Sequence, residues 1–176
     1  MLDADDSFDS KAFEKYLDEL KSVDVDLILT DFITVDVDDN QIRRYKYNLQ
    51  PGIVSNFKEL FKSGYINFHI DMHAVTYKLQ NLIDMKYSQT EGISYTDMEW
   101  CFTPMTKVSS GLYLKLPVYR YLMGRPGQTM DVSVKKKQIK QLMKMTESLA
   151  ERYTTSYNIN YHAYLNFMAS SQISII

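Results

Sequence analysis

At 176 residues, with 45% apolar and 24% charged side chains, the chain has the make-up of one globular domain able to bury a core without disulfides or metal. A net charge of −2 and a pI near 5.9 exclude the basic surplus of a nucleic-acid binder, and a single cysteine, Cys101, favours a reducing, cytoplasmic setting. No apolar stretch approaches the roughly 20 residues that cross a bilayer, and the acidic opening lacks the basic-then-apolar pattern of a secretory signal.

In chain order, the first periodic segment is Ser10 to Leu20, where Phe13, Tyr16, Leu17 and Leu20 make the stripe of an amphipathic helix. Val25 to Val35 is rich in β-branched residues and predicts a strand. The turn signal Asp38-Asp39-Asn40 then predicts a hairpin partner over Ile42 to Leu49, with Arg43, Tyr45 and Tyr47 on one face. Pro51-Gly52 breaks the pattern, and Ser55 is expected to cap a short helix through Phe61. Tyr65 to Tyr77 reads as extended and Lys78 to Met85 as helical. Thr96 is expected to cap a helix to about Phe102, stopped near Pro104. Leu112 to Leu122 predicts a strand that Pro117 divides or confines to an edge. From Ser133 a long helix carries Ile139, Leu142, Met143, Leu149, Ala150 and Tyr153 as its apolar stripe, and a second helix from about Tyr157 to Ala169 folds back on it.

Several groups carry possible chemistry, each with a plainer reading beside it. Asp3-Ala4-Asp5 is a D-x-D pair of the kind that holds Mg²⁺ or Mn²⁺ against a substrate diphosphate; in the plainer reading Asp6, Ser7 or Asp9 simply caps the next helix. His69, Asp71 and His73 share one face if their stretch is extended, which would suit a transition metal and a small hydrolase; otherwise they are ordinary strand and turn residues. Asp97 and Glu99 stand at a helix start beside Trp100, as a general base or as acids favoured by the helix dipole. In the stretch from Gly124 to Gln128, two glycines flank Arg125, giving a phosphate contact or a surface turn. Lys135, Lys136, Lys137, Lys140 and Lys144 form a solvated face or a basic surface for anionic lipid. Fourteen tyrosines and eight phenylalanines supply aromatic surface for a core, for sugar stacking or for a partner-binding module without catalysis.

In this order, LDADDSF before a helix, DMHAVTYK, ISYTDMEW and LPVYRYLMGRPGQTM resemble the bacterial family 2 glycosyltransferases of the GT-A fold. The resemblance runs from Leu2 to about Met130, and it is to the second half of such enzymes, which build surface polysaccharides. It implies an α/β fold: the C-terminal portion of a GT-A-like mixed sheet flanked by helices, spanning residues 1–130, with residues 131–176 as a helical tail packed on it. It also implies that Asp3 and Asp5 hold a divalent cation, Mg²⁺ or Mn²⁺, on the diphosphate of a nucleotide-sugar, Asp5 being the more direct ligand. Asp97 would be the catalytic base, His73 would line the pocket for a saccharide or lipid-linked acceptor, and Arg125 and Gln128 would approach the diphosphate or the acceptor. Only Met1 and Leu2 precede the D-x-D, where complete enzymes carry a nucleotide-binding β-α-β half. The expectation is therefore a portion inactive by itself, with Asp3 and Asp5 on a frayed terminus, working in the cytoplasm or at the inner face of the membrane.

Overall fold

The computed structural model describes residues 1–56, 70–125 and 132–154. It is an α/β arrangement with a six-stranded mixed sheet. The strands are β1 (Ser7–Phe8), β2 (Leu27–Val35), β3 (Gln41–Tyr45), β4 (Val54–Asn56), β5 (Val75–Tyr77) and β6 (Ser110–Leu122). The helices are α1 (Ser10–Leu20), α2 (Leu79–Asp84), α3 (Thr96–Phe102) and α4 (Val132–Thr154), with 3-10 turns at Met72–Ala74 and Pro104–Lys107. The expected helix through Phe61, the second tail helix, His69 and Gln128 lie outside the described residues.

The sheet is organised around two parallel strands, β2 and β6. Each is flanked on its outer side by two short antiparallel strands. β5 and β3 pair with the first and last parts of β2, and β4 and β1 pair with the first and last parts of β6. Because side chains alternate across a strand, Leu27 and Leu29 face one layer and Ile28 the other. The Ile28 face packs on Ala12 and Tyr16 of α1, together with Leu112, Leu114 and Val118. The opposite face packs on Met98 and Phe102 of α3 and on Leu142, Met145 and Leu149 of α4. Helices on both faces explain why β2 is buried along its whole length. Among the described residues no helix is long and apolar enough to cross a membrane.

The β2–β6 ladder shifts register on either side of Asp31, which stands opposite Pro117. Proline has no N–H to give a ladder, so the irregularity falls where the loss is tolerated. Pro117 thus neither divides the strand nor makes it an edge: β6 runs through as 13 residues, while its outer neighbours pair only at Ser110–Leu112 and Tyr119–Arg120. At this shift the fully buried Asp31 accepts from Arg44 Nη2 at 2.6 Å and from Tyr113 Oη at 2.5 Å.

Other expectations are corrected by long-range pairing. Ser55 does not cap a helix; it stands in β4, opposite Gly111. β3 stops at Tyr45, and Tyr47 turns inward to meet Tyr113 edge-on at 5.9 Å. Arg43 lies over the Tyr45 ring at 4.6 Å, whereas its neighbour Arg44 crosses to Asp31. On α4 the inward stripe is Ile139, Leu142, Met145 and Leu149, while Met143 and Ala150 are exposed. Lys136, Lys137, Lys140 and Lys144 occupy the outward face. The helix is tied to the body through Gln141 Oε1, which accepts from Ser94 N at 2.8 Å.

Candidate functional site

The helix that follows the aspartates is capped by Asp9, whose Oδ1 accepts from Ala12 N at 2.8 Å. Capping therefore accounts for Asp9 and leaves Asp3, Asp5 and Asp6 to be explained. These three form a tight turn, in which Asp6 N donates to Asp3 O at 3.2 Å. The turn is not frayed. Asp3 N donates to Tyr119 Oη at 3.1 Å, Tyr119 Oη donates to Asp6 Oδ2 at 2.7 Å, and Leu122 N donates to Asp6 Oδ1 at 2.8 Å. The acidic turn is thereby fastened to the carboxyl end of β6. The carboxyl ends of parallel strands are where open α/β sheets place their ligands.

Around this turn the structure gathers residues from four separate segments. Arg125 pairs with Asp5. Tyr119 and Tyr121, two apart on β6, share a face, whereas Arg120 points away and pairs with Asp39. The His73 ring stacks on Tyr121 at 4.4 Å, meets Tyr119 edge-on at 4.8 Å and approaches Phe32 at 5.1 Å. Phe32 in turn stacks on Tyr45 at 4.5 Å, so an aromatic row leads from β3 to the acidic turn. Asp97 stands exposed in the first turn of α3. Its charge acts on Asp3 and on Tyr121.

The electrostatics are those of crowded negative charge. Partial burial, then Asp6, Asp5 and Asp97, raise the Asp3 carboxyl above its ordinary value. Burial raises Asp6 as well, against the hydrogen bonds from Tyr119 and Leu122 that favour its charged form. Burial and the charges of Asp6, Asp5, Asp3 and Asp97 push the Tyr121 hydroxyl up. Tyr95, just before α3, holds φ of 68°, a conformation uncommon for an aromatic residue, two positions ahead of Asp97. It, and not Thr96, takes the cap position, and it makes no side-chain bond to the helix end.

Asp3 and Asp5 carry the hard oxygen donors that a cation such as Mg²⁺ takes, but the Asp5 carboxylate is already paired with Arg125. Among the described residues no group of three or more His, Cys, Asp or Glu is spaced to hold a metal by itself. Of the His69-Asp71-His73 set, His69 lies outside the described residues, and the other two are not on one extended run. Residues 72–74 make a 3-10 turn, which sends His73 to Tyr121 while Asp71 lies by Tyr47 and Cys101. Glu99 is 1% exposed and accepts from Thr90 N at 2.8 Å, so it braces the loop before α3.

Of the residues the sequence points to, Arg125 pairs with Asp5, His73 packs on Tyr119 and Tyr121, and the charge of Asp97 is felt at Asp3. Sequence reading assigns Asp6 only a capping role, and none to Tyr119, Tyr121 or Tyr95. The alternation of Tyr119 and Tyr121 was a visible signal for a shared face, but nothing local showed which face met the acidic turn. No protein-family model matches the chain, and no curated protein matches it in sequence.

Proposed function

We propose that this chain carries the metal, base and acceptor side of an inverting glycosyltransferase that moves a sugar from a nucleotide-sugar to a saccharide or lipid-linked acceptor. The setting would be surface polysaccharide synthesis in the cytoplasm, at the inner face of the membrane. The observation that carries the reading is the convergence of Asp97, His73, Arg125 and Tyr121 on the Asp3–Asp6 turn, from segments up to 120 residues apart. A D-x-D serving only as a helix cap has no need of a further carboxylate, an imidazole and a guanidinium nearby.

In this reading Asp3 and Asp5 would hold Mg²⁺ or Mn²⁺, and that cation would supply Lewis-acid neutralisation of the departing nucleoside diphosphate. Arg125 is close enough to Asp5 to share the same phosphates, and a guanidinium suits them geometrically. Gln128 is assigned to the diphosphate on the resemblance alone. Tyr121 and His73, stacked on each other and half-buried, would border the acceptor sugar. Asp97 is exposed, so an acceptor hydroxyl can reach it. It takes the hydroxyl proton as that oxygen bonds to the anomeric carbon from the face opposite the diphosphate. The bond from the anomeric carbon to the diphosphate breaks with its electron pair leaving on oxygen, and the sugar inverts.

The test is binding of Mn²⁺ with a nucleoside diphosphate, followed by electron paramagnetic resonance. Mn²⁺ should be taken up when the diphosphate is present, and Asp3→Asn and Asp5→Asn should each weaken it. Equal uptake by both variants, or none by the parent chain, sinks the reading.

A further inference from the structure

We propose that the outer face of α4 is a docking surface for an anionic lipid bilayer, held to it by Lys136, Lys137, Lys140 and Lys144. No residue of the acidic turn takes part, so this surface stands or falls separately from the transferase reading. From Val132 to Thr146 the helix carries five lysines and no acidic residue, and its first carboxylate is Glu147. Lys136, Lys137, Lys140 and Lys144 are all exposed, and their spacing puts them on one face. Among the described residues none of the four pairs with a carboxylate.

Helix α1 carries the ordinary solvated pattern, and α4 departs from it. On α1, Lys11 and Lys15 are interspersed with Glu14, Asp18 and Glu19, and Lys21, just past its end, pairs with Asp18 at 2.7 Å. On α4, Lys136 and Lys140, and again Lys140 and Lys144, are like charges four residues apart, which works against the helix. Lysines in its first turns also oppose the helix dipole. The stability of the fold therefore gives no reason for this face, whereas a negative surface laid against it would remove the repulsion. The remainder of the chain has little to neutralise it with: outside the described residues only Glu59 and Asp131 are acidic.

Met143 favours lipid over other polyanions. It is 61% exposed and stands on the same face, between Lys140 and Lys144. An apolar side chain in that place is accommodated at the boundary of headgroups and acyl chains, and the phosphates of a nucleic acid offer it nothing. A cluster of four basic residues on a helix reaches the size that anionic bilayers hold. The inward stripe of Leu142, Met145 and Leu149 is already spent on the core, so the helix adheres by charge and does not bury its apolar side in the membrane. Such a contact is screened by salt.

The test is co-sedimentation of the full chain with vesicles of phosphatidylcholine, alone or mixed with phosphatidylglycerol, at low and at high salt. Binding should require phosphatidylglycerol and disappear at high salt. Lys140→Gln/Lys144→Gln should weaken it about 25-fold, each lysine at such a surface being worth about fivefold. The melting temperature of that variant should hold or rise, because a like-charge pair is gone. Lys11→Gln/Lys15→Gln removes the same charge from α1 and should leave binding close to that of the parent. Absence of any phosphatidylglycerol dependence at low salt overturns the proposal, and so does equal weakening by the two double variants. Binding to a DNA duplex as tight as to the mixed vesicles would overturn the assignment to lipid.

Discussion

Aspartates stand at both ends of the parallel pair β2 and β6, in opposite circumstances. Before the first strand residues, Asp26 accepts from Ser109 N at 2.9 Å, Ser110 N at 3.1 Å and Asn81 Nδ2 at 3.0 Å. Burial acts to raise its carboxyl, but the donors from Ser109, Asn81 and Ser110 outweigh burial and bring it down to about 2. At the carboxyl end, Asp3 and Asp6 are raised instead, by partial burial and by other carboxylates. The first arrangement gives a negative charge everything it needs within the protein. In the second, Arg125 pairs with Asp5 and two donors reach Asp6, yet the carboxylates still crowd one another. A carboxylate saturated with donors joins loops, whereas crowded carboxylates raise one another's pKa.

The sharpest way to break this comparison is to neutralise one carboxylate at each end and read two different outputs. In the proposed transferase, Asp97→Asn should cut sugar transfer by about 10²–10⁴-fold while the melting temperature stays put. Asp26→Asn should do the reverse. Transfer that survives Asp97→Asn would remove the base, and Glu99, buried against Thr90, is not placed to replace it.

Between the two ends lies Asp31, which follows the structural pattern in its buried form. Asp31→Ala leaves the Arg44 guanidinium, 31% exposed, without its carboxylate. The expected loss is about 3 kcal/mol in urea unfolding, toward the low end for a broken buried pair because water reaches Arg44. Arg44→Met in the same background should restore much of it. A double variant as unstable as Asp31→Ala would show that the Tyr113 bond, and not the ion pair, carries the cost.

Asp26→Asn should cost about 1–3 kcal/mol, the range for hydrogen bonds to a charged group. A folded-state value lowered to about 2 from the ordinary 3.8 stabilises the fold fully above about pH 4, and that share is lost as pH falls through about 2. The parent and Asp26→Asn should therefore converge in stability on acidification over this window. A gap that persists at pH 2 would mean that asparagine disturbs the loop for another reason.

The smallest effect is expected at Asp39 and Arg120, whose pairing lies on the outer side of the same strand that carries Tyr119 and Tyr121. Asp39→Ala should cost under about 1 kcal/mol and the difference should shrink in high salt. A larger loss would mean that Arg120 helps hold β6 in place for the site.

How much of this was legible depends on how local each signal is. Helix α1 matches its expected span Ser10 to Leu20, although Leu17 of the expected stripe is exposed and Ala12 is buried, and β2 and α3 match their periodic segments closely, because periodicity acts between residues a few positions apart. The residue types of the site were legible for the same reason: D-x-D, His73, Asp97 and Arg125 are visible one segment at a time. Tertiary structure decided the remainder. Ser55 became a strand residue because Gly111 lay beside it, Met145 took the inward place on α4 that Met143 had been expected to share, and Asp31 could be buried because Arg44 and Tyr113 reached it. The division of labour among Asp3, Asp5, Asp6 and Asp9 is of this second kind. Four aspartates within seven residues are chemically equivalent along the chain, and what separates them is which donors the fold brings to each: Ala12 to Asp9, Tyr119 and Leu122 to Asp6, Arg125 to Asp5.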